Sequence, residues 1–246
     1  MAAMLVFVVA DGATDEPGTR LASKQIENLS TGSSLTVDAE DEESKYIFHH
    51  FNARFRGESC RWALAYAGVQ WEDQRASLAL FPTLGSTLPV LEVNGKNLTQ
   101  STAIARYIAK KRGFAGRGLW EQAEVDALID YIVIDAIAGL RAYPEAALTG
   151  DKAKVTALKE QYTSVGVTPF LKELENKLRS NDGGQGFFFG PSATLADIIV
   201  VNFGDEVLRM KPDVLESYPV LREHRNRVHD LPGITEWIAN RPDTLL

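Results

Sequence analysis

Between residues 46 and 112 short apolar runs and stretches of helical spacing take turns, whereas from residue 119 onward the helical period holds almost throughout. YIFHHF, residues 46–51, reads as a buried strand. A helix follows in which Cys60, Ala63, Leu64 and Ala67 recur at helical spacing and Ala67-Gly68 closes the end. WEDQRAS reads as a second strand, and strand, helix, strand implies a parallel pair with a right-handed crossover. In LPVLEVNGKNLTQ, residues 88–100, Asn94-Gly95 between two alternating runs predicts an antiparallel hairpin. STAIARYIAKK then predicts a helix with Ser101 at its N-cap, Ile104, Tyr107 and Ile108 on one face, and Gly113 beyond its end. This half has the order βαβ-ββα.

After GFAGRG, residues 113–118, WEQAEVDALIDYIVIDAIAGLRAY predicts a long helix with a broad apolar surface, packed on several sides. DKAKVTALKEQYTSVGVTPFLKELENKL predicts another, bent near Val165-Gly166 and Pro169. Thr194-Leu195-Ala196-Asp197 opens a nearly all-apolar, central helix as a variant capping box. Two short helices separated by Leu231-Pro232-Gly233 end the chain. The fold class is therefore α/β followed by all-α. Residues 1–45 divide into a short apolar cluster, MAAMLVFVVA, and a polar stretch with too few large apolar side chains to offset the entropy of ordering; they read as a disordered extension.

The 246 residues, 45% hydrophobic and 24% charged, suit a chain that packs its own interior. A formal charge of −7 gives no electrostatic footprint for nucleic acid, and no apolar run approaches the ~20 residues a membrane helix needs. Cys60 is the only cysteine, which excludes an internal disulfide and any cysteine-rich metal site. A reducing, cytoplasmic compartment is expected; the apolar first ten residues leave secretion as the minor alternative, since they lack the basic flank of a secretory signal.

The candidate chemistry is scattered. The start of the helix at Ser101 offers free backbone N–H groups, a hydroxyl and the neighbouring Gln100 amide to a carboxylate, although every helix needs a start. A cis bond at Leu88-Pro89 would turn the Leu88 backbone outward toward a peptide-like ligand. Asp126 and Asp130 share a helix face but lack the further ligands a metal needs; a solvated or interface face is the default. Cys60 lies in an apolar stripe, as a buried hydrophobe would. His224 and His229 are read as surface residues. His49 and His50 point to opposite sides of their strand, so only one can face a ligand.

The order of YIFHHFNARFRGE, LPVLEVNGKNLTQSTAIARYIA, WEQAEVDALID, TLADIIV and YPVLREHRNRVHDLPGITEWIANRP resembles the cytosolic glutathione S-transferases, most of all the sigma class, which includes glutathione-dependent prostaglandin D synthases. The resemblance implies a thioredoxin-like, glutathione-binding domain over residues 46–112, a linker over 113–118 and a helical domain over 119–246. Gln100 and Ser101 would hold the γ-glutamyl carboxylate, and Leu88 before cis Pro89 the cysteinyl backbone. Asp126 would reach across a homodimer to the γ-glutamyl amine. Arg56 would support the catalytic group, and Thr194 with Asp197 would be structural.

Two departures bear on activity. His50 stands where the class has its catalytic tyrosine, and LALFPTLGSTLP is shorter than the class's second-helix segment, with Phe81 at its tryptophan position, no lysine, and Thr87 in place of glutamine before Leu-Pro. The resemblance implies a glutathione transferase of detoxification type, or a glutathione-dependent isomerase, with glutathione as co-substrate, a small apolar electrophile and no metal. The alternative it leaves is a non-catalytic, glutathione- or ligand-binding or structural member of the fold.

Overall fold

The computed structural model describes residues 44–80, 87–140 and 142–244. Of the expectations above, the one for residues 1–43 and the one for Phe81 fall outside the described residues. Strand β1, Tyr46–Phe51, pairs in parallel with β2, Trp71–Ala76, through the crossover helix α1, Phe55–Tyr66. On its other side β1 pairs antiparallel with β3, Val90–Val93, which turns back into β4, Lys96–Thr99, so the sheet order is β2-β1-β3-β4. Asn94 and Gly95 take φ of 50° and 79°, the two left-handed positions that let a two-residue turn follow the twist of its strands. Helix α2, Ser101–Arg112, begins at the residue predicted to cap it, so the cap lies one residue earlier: Gln100, rather than Ser101, is the half-in residue.

Among the described residues everything beyond α2 is helical or loop. α3, Gly118–Asp130, starts the predicted long helix, but it does not run through. It widens into a π-helical stretch at Tyr131–Ala136 and tightens into a 3₁₀ turn at Ile137–Leu140, and a separate short helix α4, Tyr143–Thr149, follows. The bend expected near Val165-Gly166 is a second π-helical stretch, Tyr162–Gly166, between α5, Lys152–Gln161, and α6, Thr168–Ser180. Both irregularities meet at one side chain. The Tyr162 hydroxyl donates to the Ala136 carbonyl (2.7 Å), and its ring fills the space that side chains at Gly139 and Gly166 would need, since a β-carbon on either would lie 2.9 Å from it.

Helix α7, Leu195–Met210, is buried along most of its length and forms the centre of the helical half. Asp197 anchors its start by accepting from the Thr194 N–H and hydroxyl (both 2.8 Å) and from the Phe188 N–H (2.9 Å). α8, Pro219–His229, and α9, Ile234–Asn240, finish the chain. His224 was expected at the surface and is instead fully buried, its Nε2 2.8 Å from Asp197 Oδ1. No described helix is long and apolar enough to cross a membrane.

Candidate functional site

A cavity of about 1010 Å³ lies between the end of β1, the start of β3, the end of β4 and the helical half. His50, Arg56, Leu88, Pro89, Gln100 and Ser101 line one side of it, together with Thr87. Val133, Ile137, Leu140, Tyr143, Phe203 and Met210 line the other. One wall is thus rich in backbone turns and polar groups, and the other mixes this apolar surface with the charged Glu145, Lys159, Glu206 and Arg209, a distribution compatible with a small-molecule site.

His50 occupies the penultimate position of β1, opposite Arg75 of β2. Its ring lies flat against α1, and only a glycine fits beneath it: a β-carbon on Gly57 would come within 2.4 Å of Nδ1. The side chain is 4% exposed, and Nδ1 has no hydrogen-bond partner. Burial, reinforced by the positive charges of Arg61 and Arg75, lowers its pKa from 6.5 to about 3. At neutral pH it is an uncharged imidazole. The other histidine of the pair, His49, faces the opposite side, 3.8 Å from Glu92.

Gln100 has φ 72° and ψ 113°, a conformation that costs a non-glycine residue about 1–3 kcal/mol and that turns the chain from β4 into α2 at the cavity wall. Ser101, buried, starts a helix whose first N–H groups lack intrahelical acceptors. The Leu88-Pro89 bond is cis. Cys60 packs beneath this helix start, its thiol donating to the Ser101 carbonyl (3.3 Å), and burial pushes its pKa up to about 12, so it remains an inert thiol.

Asp126 is not among the lining residues. Arg106 of α2 grips it and Asp130 together, donating to Asp126 Oδ1 (2.6 Å), the Asp126 carbonyl (3.2 Å) and Asp130 Oδ1 (2.5 Å). The shared helix face therefore receives a guanidinium.

Some of the groups that hold the site were not singled out from sequence. Arg61, fully buried, donates to the carbonyls of Phe51 (3.1 Å) and Ala53 (2.7 Å) and to Asp73 (3.1 Å), which fixes the end of the strand carrying His50. Glu58 accepts from Trp62 (3.1 Å), Trp237 (2.9 Å) and Arg241 (2.8 Å). Burial pushes its pKa up, but those hydrogen bonds and the nearby guanidinium groups outweigh it and hold the carboxyl below the usual range. Two of its three donors come from α9 and the residue after it, about 180 positions away, which no local period reveals. On the cavity wall Glu206 sits 3.2 Å from Arg209, and burial raises its pKa in spite of that partner.

Residues 47–110 match the glutathione S-transferase N-terminal domain and residues 130–241 the glutathione S-transferase C-terminal domain. Hematopoietic prostaglandin D synthase of Gallus gallus is 37% identical over 206 residues, covering 82% of this chain and 98% of that protein. Among solved structures, rat hematopoietic prostaglandin D synthase complexed with a quinoline superposes with a TM-score of 0.71 at 33% identity, covering 82% of this chain and all of that one. A monomeric glutathione S-transferase of the hookworm Necator americanus, Na-GST-3, gives 0.71 at 31% identity over 81% of this chain and 98% of its own.

Proposed function

Because the chain belongs to the glutathione S-transferase family, we propose that its cavity holds glutathione along the sheet-side wall and a small apolar electrophile against the helical wall. The reaction is attack of the glutathione thiolate on an electrophilic carbon, or the related isomerisation. The observation that carries this reading is the cavity itself: at about 1010 Å³ it has room for both molecules, with the cis Leu88-Pro89 turn and the start of α2 on one side and an apolar surface of Val133, Ile137, Leu140 and Phe203 on the other. In this reading the start of α2 at Gln100 and Ser101 takes the γ-glutamyl carboxylate, and the Leu88 backbone pairs with the cysteinyl unit. A free thiol with pKa about 8.5 is a few per cent thiolate at pH 7, so catalysis consists of lowering that pKa and holding the two reactants together. Arg56 adds a positive charge on the cavity wall, and His50 acts as a neutral ring rather than an imidazolium.

A second reading, a member of the fold that binds glutathione or apolar ligands without turnover, is favoured by one observation: the β1 residue at the cavity is a buried, uncharged imidazole. Glutathione affinity measured beside turnover of an aryl halide separates the two. Binding with turnover above the uncatalysed rate supports the transferase; binding without it supports the second reading; no glutathione binding removes the transferase and leaves only the apolar-ligand form of the second reading.

A sigma-class, cytoplasmic, homodimeric enzyme of detoxification completes the proposal. In the dimer Asp126 would serve the neighbouring subunit's glutathione, and Arg106, which grips it, would orient the carboxylate. Sedimentation equilibrium tests this, a monomer at micromolar concentration removing the role of Asp126; the hookworm relative described as monomeric makes the measurement pointed.

A further inference from the structure

If the cavity binds glutathione as proposed above, the sulfur needs a hydrogen-bond donor that the end of β1 does not supply well. The His50 ring is turned onto α1 over Gly57, and it is almost sealed from the cavity it borders. The other wall carries a better group. Among the described residues lining the cavity, Tyr143 is the only phenol; the remaining hydroxyls belong to serines and threonines, and that of Ser59 already donates to the Arg56 carbonyl. A phenol, with an ordinary pKa near 10, is a far stronger donor toward a thiolate than an aliphatic alcohol.

Its placement is specific. Tyr143 opens α4 and packs, with Leu88, against the small apolar cluster of Phe51 and Ala53. Phe51 follows His50 at the end of β1, and Leu88 is the residue before the cis proline whose backbone is assigned to the cysteinyl unit. The ring is therefore held where those two segments meet, beside the place a cysteinyl side chain would occupy. Lys159, which lines the same cavity, keeps its ammonium 5.7 Å from the centre of the Tyr143 ring, a positive charge on the same wall as the phenol.

We propose that Tyr143 is a further catalytic residue, its hydroxyl donating a hydrogen bond to the glutathione sulfur from the helical wall. The thiol proton leaves to solvent, and the phenol keeps its own. The sulfur electron pair forms the new S–C bond while the leaving group, a halide in the test reaction, departs with the pair of the bond it breaks.

The test is ultraviolet titration of the bound thiol, with glutathione Kd and kcat on an aryl halide, in wild type, Tyr143→Phe and His50→Ala. Phenylalanine keeps the packing ring, so the variant isolates the hydroxyl. The expected result for Tyr143→Phe is a bound-thiol pKa raised by about 1–2 and a kcat lowered roughly 10- to 100-fold, with Kd unchanged. A wild-type thiol pKa in Tyr143→Phe overturns the proposal while leaving the glutathione site standing. A larger rise in His50→Ala than in Tyr143→Phe assigns the sulfur to the imidazole and overturns it too. Failure of the wild type to bind glutathione overturns the site and the phenol's role together, which only that outcome does.

Discussion

His50 and His224 are both buried against phenylalanine rings and differ in the charge beside them. Each lies between two phenylalanine rings: Phe48 and Phe51 at 6.1 and 5.5 Å for His50, Phe187 and Phe188 at 6.1 and 5.0 Å for His224. His224 meets the Asp197 carboxylate, whereas His50 meets the guanidinium charges of Arg61 and Arg75. A carboxylate gives an imidazole a partner that fixes its tautomer, and the pair ties α8 to the start of α7. For His50, burial first and the arginines second disfavour a second proton. The lesson is that burial sets the direction for a histidine, and the sign of its neighbours decides whether it also gains a partner. At one end of the molecule that sign makes a fastener, at the other a neutral surface left bordering a cavity.

The comparison breaks most visibly at the fastener. Asp197→Ala removes the acceptor shared by Phe188, Thr194 and His224, all buried, and is expected to cost about 3–5 kcal/mol in urea unfolding. A loss below ~1 kcal/mol would mean that water replaces the carboxylate and that the two histidines are not different in kind.

At the other ring the packing is the constraint. Gly57→Ala should destabilise by about 1–3 kcal/mol because the new methyl meets the imidazole, and the cost should largely vanish when combined with His50→Ala. Additivity of the two substitutions would show that the ring does not rest on α1.

Acid sharpens the contrast further. With a folded pKa of about 3 against 6.5, the unfolded chain binds the His50 proton between those values and the folded chain does not. Stability contributed at neutral pH is therefore lost as pH falls below 6.5, by up to about 1.4 kcal/mol per pH unit from this residue. His50→Phe should remove that part of the slope, seen as flatter urea midpoints between pH 6.5 and 5. An unchanged slope would place the acid-sensitive group elsewhere. The smallest effect is expected from Thr194→Ala, about 1 kcal/mol, since Asp197 keeps its other donors.

How much of this could be read from the chain depends on the distance over which each feature is built. β1, the Asn94-Gly95 turn and the bend around Val165-Gly166 are local, and their residues predicted them. The helix start at Gln100-Ser101 and the Leu88-Pro89 turn were legible as backbone features, and the fold brings them to one cavity with His50. His224 was misread because its partner lies 27 residues away in another helix, and an isolated stretch of HRNRVH looks solvated. Glu58 and Arg61 were not singled out for the same reason, since their partners Trp237, Arg241 and Asp73 lie on other elements. The break after Asp130 escaped because nothing from Tyr131 to Leu140 forbids a regular helix, and Tyr162, which donates to the Ala136 carbonyl there, lies on a different segment.

That tyrosine has a bearing on how substrate range could diverge. Val133, Ile137 and Leu140, the apolar wall of the cavity, are all carried by the irregular stretch whose course Tyr162 props from behind. Ring size at 162, or a methyl at 139, would re-aim three wall residues at once without altering one of them. Selection acting on ligand preference thus has a lever outside the binding surface, where a change is free of direct contact with either ligand.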